Sequence, residues 1–199
     1  MHPSTLTGKH NAERSALYHA LSDHATNSFD SSTITWKLPS TDALVGTYGI
    51  LLHTPHIGRA YLDFCSALSA LPGLTPRTRE IISLVVAAYD NCAFQIYVHG
   101  RLAQAQGLTR NELDSLRAGL YAQSFSEEDK AAYRVARELC AGSGPLPERV
   151  WRESVGVLGR EGVLAAVHLT AFERYVATIL RGFDAQVPAP GERVENGFA

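Results

Sequence analysis

Residues 81–88, Ile-Ile-Ser-Leu-Val-Val-Ala-Ala, are apolar nearly all round, and this run is bracketed by strong punctuation. Upstream, Thr75-Pro76 is a clean helix start: Thr75 can accept from a free backbone N–H, and Pro76 suits the first helical position, where no N–H is needed. Downstream, Asp90-Asn91 can break the helix and cap the next one. A helix with no polar face must be covered on most sides, in a core or a subunit interface. The rest of the chain therefore has to supply helices to surround it.

The remaining pattern supplies them. Helical periodicity or caps predict helices at about 11–24, 42–52, 55–71, 76–89, 92–106, 109–118, 126–140, 147–158 and 162–183, and no convincing period-2 strand appears. Thr109 with Glu112, and Ser126 with Asp129, have capping-box spacing. Residues 26–40 are rich in Ser and Thr and read as a loop or arm. The stretch after Pro188 is rich in Pro, Gly and charge and reads as a mobile tail. The expected division is an N-terminal helix and arm (1–41), a helical domain (42–185) and a tail (186–199). The fold class is all-α, a compact multi-helix bundle.

Composition narrows function. The 199 residues are 45% hydrophobic with a net charge of -2, enough for one domain with a real core. No basic stripe points to nucleic acid, and no basic amphipathic segment points to a membrane surface. The run 81–89 is about half the length of a membrane span. Three scattered cysteines (Cys65, Cys92, Cys140) without a CxxC do not make a disulfide scaffold, so a reducing, cytoplasmic setting is expected. No HExxH, no Cys/His cluster and no glycine-rich phosphate loop is present, so neither a metal nor another cofactor is expected.

Chemistry-bearing residues flank the predicted turn. Cys92, Gln95 and His99 share one helical face. If Asp90-Asn91 reverses the chain, positions equidistant from residue 90 face each other, and Glu80 comes beside His99. In a continuous helix the two would lie ~28 Å apart. A carboxylate against an imidazole orients the ring and raises its basicity, which suits proton transfer near neutral pH. Cys92, in the first turn of its helix, would have its thiolate favoured by the helix dipole. Each residue also has an ordinary reading: Cys92 as a small core residue, Glu80 as a dipole complement, His99 as a satisfied core group, Gln95 as polar filler. Aromatics such as Trp36 and Tyr97 could line a site or be core.

The segment Leu74-Thr-Pro-Arg-Thr-Arg79-Glu80, the apolar run, Cys92-x-x-Gln95-x-x-x-His99 and Gly107-Leu-Thr109 resemble the carboxymuconolactone decarboxylase superfamily, which includes the alkylhydroperoxidase AhpD-like proteins. The resemblance implies an all-α fold of the AhpD-like type built on a helical hairpin, and assembly as a homotrimer or hexamer. It implies catalytic roles for Glu80, His99 and Cys92. The substrate-binding candidates are Gln95, which could donate a hydrogen bond to a substrate carboxylate or oxyanion, and the aromatics Tyr97 and Trp36. Gln95 stands where the AhpD-like branch has its second cysteine, which argues against dithiol peroxidase chemistry. The expected activity is acid–base: a decarboxylase, isomerase or cyclase acting on a small carboxylated lactone, keto acid or polyketide-like compound, with His99 as proton donor tuned by Glu80. The alternatives are a thiol peroxidase using Cys92 alone and a non-catalytic oligomeric binding protein.

Overall fold

The computed structural model describes residues 8–30 and 32–188. Much of the expected tail, and the first seven residues, lie outside this range. The described residues form eight helices and no named strand: α1 (Gly8–Ser28), α2 (Gly46–Leu51), α3 (Pro55–Ser69), α4 (Pro76–Tyr89), α5 (Ala93–Ala105), α6 (Arg110–Arg117), α7 (Glu127–Ala141) and α8 (Glu148–Gly182). The all-α class is thus the observed one.

The chain divides into two compact units, with the boundary between Ser66 and Ala67 near the end of α3. In the first unit, Leu17, Leu21 and Ala25 recur every four residues along α1 and are fully buried with Leu44, Tyr48 and Leu51. Tyr48 Oη and His24 Nδ1 share a hydrogen bond of 2.8 Å, and burial lowers the pKa of that imidazole. The predicted 26–40 arm differs from what forms. Helix α1 continues to Ser28, and Lys37 and Leu44 then pair in an antiparallel bridge. Asp42 turns the chain there with φ 57. This delays α2 to Gly46, four residues after its expected start.

In the second unit α4 is the central helix, packed against α5, α6, α7 and α8. Ile81, Ile82, Leu84, Val85, Val86 and Ala87 are all buried. Burying an aliphatic side chain of this size stabilises by about 1.5–3 kcal/mol, so α4 holds much of the unit together. Thr75 caps it as expected, accepting from the Thr78 N–H. Both capping boxes form, and their acids are shared by one cation. Arg77 on α4 donates to Glu112 Oε1 at 2.8 Å and to Asp129 Oδ2 at 3.0 Å. That guanidinium ties the starts of α6 and α7 to the start of α4.

The break predicted between 158 and 162 is present. Within α8, Gly159 has φ 70 and ψ 171, a backbone state that interrupts the helical path. Just beyond it, Gly162 meets Gly73 backbone to backbone; a Cβ on Gly162 would lie 2.6 Å from the Gly73 carbonyl oxygen. Helix α8 is long and apolar enough by composition to cross a membrane, and just over half of its apolar stretch is buried inside the protein.

The turn between α4 and α5 rests on Asn91, which has φ 51. The Cys92 N–H donates to the Ala87 carbonyl at 2.9 Å and the Asn91 N–H to the Ala88 carbonyl at 3.3 Å. This is the Schellman pattern, which needs a left-handed residue at Asn91. Asn91→Gly is expected to leave the urea unfolding midpoint nearly unchanged, whereas Asn91→Val should cost about 1–2 kcal/mol by the same measurement.

Candidate active site

The Asn91 turn sends α5 back along α4, so positions ten before and nine after residue 90 become neighbours. Glu80 Oε2 lies 2.9 Å from His99 Nδ1. On α4, Ser83 follows Glu80 by three residues; on α5, Gln95 precedes His99 by four. Each pair therefore shares a helical face. The two helices bring four polar side chains to one place.

A fifth comes from α8. Glu173 is buried, with its side chain 7% exposed, and lies 3.5 Å from His99 Nε2. Ser83 Oγ donates to Glu173 Oε1 at 3.0 Å, and Gln95 Nε2 donates to Glu173 Oε2 at 2.7 Å. Gln95 Nε2 also reaches the Glu173 backbone carbonyl at 3.0 Å. Both of these partners only accept, so the amide must point its NH2 at Glu173. The imidazole is thus held between two carboxylates, one on each ring nitrogen.

Burial alone would drive the proton off the His99 ring. The charges of Glu173 and Glu80, with their hydrogen bonds, outweigh it and raise the pKa well above the ordinary imidazole value. Glu173 shows the converse. Burial would raise its pKa, but the His99 charge and the bonds from His99, Ser83 and Gln95 lower it. Both shifts run the same way, favouring the ion pair with the proton on the ring.

The two carboxylates differ in freedom. Both oxygens of Glu173 accept hydrogen bonds within the core. Glu80 has only its bond to His99 among the described residues, and its Oε1 is unengaged. The side chains of Glu80 and His99 are each 17% exposed, so this end of the cluster reaches solvent.

The other sequence candidates fall differently. Gln95 was expected to donate to a substrate carboxylate or oxyanion; its amide hydrogens go to Glu173 instead, and its Oε1 is buried without a partner. Cys92 is the N-cap of α5 and is 2% exposed. The expectation of a dipole-favoured thiolate fails because burial raises its pKa more than the Gln95 and Phe94 N–H groups lower it. Tyr97 is two residues from His99, which puts it about 200° round the helix. Its ring lies tilted against that of Phe94, with Arg101 4.0 Å over it. Trp36 belongs to the first unit and packs against the α1 core there. Among the described residues no group of three or more His, Cys, Asp or Glu side chains is placed to hold a metal ion.

Sequence reading missed Glu173 and Ser83. The signal for Glu173 was available: Ala166, Leu169, Thr170, Val176, Ala177 and Leu180 form the buried face of α8, and Glu173 falls in that stripe. A carboxylate on a core-facing stripe requires a partner.

Residues 55–138 match the carboxymuconolactone decarboxylase family, in agreement with the resemblance drawn from the sequence. Three solved structures share the fold. An Agrobacterium tumefaciens protein of unknown function, described as a candidate antioxidant defence protein AhpD, aligns with TM-score 0.64 at 17% identity, covering 70% of this chain and 96% of its own. The debrominase Bmp8 aligns without ligand (TM-score 0.62, 15% identity) and as a cysteine-to-alanine variant bound to 2,3,4-tribromopyrrole (TM-score 0.61, 14% identity). Each covers 71% of this chain and 77% of the debrominase. At these identities the likeness is one of fold. No curated protein matches the chain.

The paired charges set a pH window. The raised His99 pKa contributes stability that is complete below its ordinary value of 6.5 and is lost as pH rises through the folded-state value. The lowered Glu173 pKa contributes stability that is complete above 4.5 and is lost as pH falls through the folded-state value. Urea midpoints should therefore be highest between these limits, and His99→Gln should flatten both flanks. Nitrogen-15 NMR of the ring should report a pKa above 6.5 that drops in Glu173→Gln.

Proposed function

We propose that this chain, whose residues 55–138 are those of the carboxymuconolactone decarboxylase family, is a proton-transfer enzyme acting on a small enolisable compound such as a lactone, a keto compound or a polyketide-like molecule. The observation that carries the reading is the His99 ring held between Glu80 and Glu173. Decarboxylation, isomerisation and ring closure of such compounds share one demand: an enolate-like carbanion must be stabilised and given a proton at carbon. A stored proton beside a partly exposed carboxylate meets that demand without a cofactor.

The geometry favours one route for the proton. Glu173 is locked by Ser83 and Gln95 on the buried side, so it holds the ring and the positive charge in place. The short contact between His99 Nδ1 and Glu80 Oε2 is the exit. The Nδ1 proton passes to Glu80, and Glu80, turning about its terminal bond, releases it to the substrate carbon. His99 is left neutral and is recharged from solvent or from the proton that the substrate gives up elsewhere. In this scheme His99 is the proton store and Glu80 the delivering group, which refines the expectation that Glu80 only tunes the ring.

Thiol chemistry has less support. A one-cysteine peroxidase needs an accessible, low-pKa sulfur, and Cys92 is buried with its pKa raised. Assembly as a trimer or hexamer belongs to the same proposal, and light scattering on the purified protein checks it.

A panel of lactones, β-keto acids and cyclic ketones incubated in D2O, followed by NMR for deuterium incorporation and loss of CO2, tests the activity. Turnover is expected for at least one class. His99→Asn and Glu80→Gln should each lose about 10²–10⁴-fold in kcat, and Cys92→Ser should keep most of it. Turnover that vanishes in Cys92→Ser but survives in His99→Asn would replace this reading with a thiol mechanism.

A further inference from the structure

The polar atoms of the cluster are unevenly supplied. Every donor already has an acceptor. The two His99 ring nitrogens face Glu80 and Glu173, the Gln95 amide hydrogens go to Glu173, and the Ser83 hydroxyl goes to Glu173 and the Arg79 carbonyl. Two acceptors are left over. Glu80 Oε1 is unengaged among the described residues. Gln95 Oε1 belongs to a side chain 2% exposed and has no hydrogen-bond partner. It shares a carbon with the nitrogen that binds Glu173, so it sits at the cluster rather than remote from it. A buried acceptor without a donor is costly, by roughly 1–3 kcal/mol, and a bound molecule can remove that cost only by donating.

The charges point the same way. Two carboxylates and one imidazolium leave a net negative charge. No lysine or arginine pairs with either carboxylate among the described residues; His99 is the cation each of them meets. The two arginines adjacent in sequence are engaged elsewhere: Arg79 donates to the carbonyls of Leu68 and Leu71, and Arg174 to the Leu139 carbonyl and Asp90. A ligand carboxylate placed here would meet like charge and a surplus of acceptors.

We infer that the compound taken at this site is neutral and donates hydrogen bonds (an enol, a phenol or a ring N–H) rather than a carboxylate. This deepens the proton-transfer reading and rests on it for the location of the site. The donor X–H bonds to Gln95 Oε1 or Glu80 Oε1. In the reaction, an enol O–H would give its proton to Glu80 as the carbonyl forms, while carbon receives a proton from the same relay, so that one proton enters and one leaves. Isomerisation is the reaction type this substrate class favours over decarboxylation.

Phenol and benzoate, rings of matched size, separate the possibilities. Each is titrated into the full-length protein at pH 7 by calorimetry, with the His99 ring followed by nitrogen-15 NMR. Phenol should bind at least about tenfold more tightly than benzoate and should shift the His99 ring signals. Glu80→Gln, which removes the net negative charge, should narrow or reverse that preference, and Gln95→Leu should weaken phenol alone. If a variant fails to fold, the wild-type comparison still decides. Benzoate binding at His99 as tightly as phenol would overturn the inference, as would the failure of both to perturb His99 at millimolar concentration. Turnover of a carboxylated substrate with no donor preference would sink this inference and leave proton transfer standing. Phenol selectivity with no proton exchange on any compound would do the reverse.

Discussion

The chain reversal at Asn91 is the constraint on which the rest of the site depends. Its left-handed backbone lets the Cys92 and Asn91 N–H groups close onto the last turn of α4. The next helix can then start at once and run back alongside. Without it, Glu80 and His99 would sit on different turns of one rod, and Ser83 and Gln95 with them. A single residue in an uncommon backbone state turns a sequence separation of nineteen into a 2.9 Å hydrogen bond.

That reversal places charge where a small helical unit would ordinarily put only hydrocarbon. Two carboxylates and a ring cation beside α4 are tolerable because nearly every buried lone pair and proton is met. Glu173 is the extreme case, accepting from Ser83 and Gln95 while facing His99. The unit has a second polar centre of different character. Arg77 gathers Glu112 and Asp129, the two capping-box acids, and also donates to the Gly107 carbonyl. One guanidinium here meets two carboxylates, and its partners are helix starts, so its work is to set the positions of α6 and α7. The contrast separates a network that fixes helix starts from one that leaves a buried acceptor, Gln95 Oε1, without a donor.

Much of this could be read from the chain because the signals were local. Thr75 and the pairs Thr109–Glu112 and Ser126–Asp129 each act within a turn or two of their own position. The hairpin itself needed only residue counting. What escaped depended on packing between distant segments. Glu173 joins the cluster because α8 lies against α4, and nothing near residue 173 names its partners, though its place in an apolar stripe demanded some. The raised pKa of Cys92 was not legible, because a helix dipole can be inferred from position whereas burial depends on what covers the thiol. The bridge between Lys37 and Leu44 was too short to leave a period-2 pattern.

The interruption of α8 at Gly159 has a consequence for how such a site can persist through evolution. In an unbroken helix, gaining or losing one residue turns every later side chain by about 100°, which would swing Glu173 out of the core. The non-helical step at Gly159, followed at once by the tight seating of Gly162 on Gly73, resets the rotation of the second segment independently of the first. Insertions and deletions in 148–158 are thereby uncoupled from the orientation of Glu173, and the front half of the helix is free to diverge in length while the chemistry behind it stays in register.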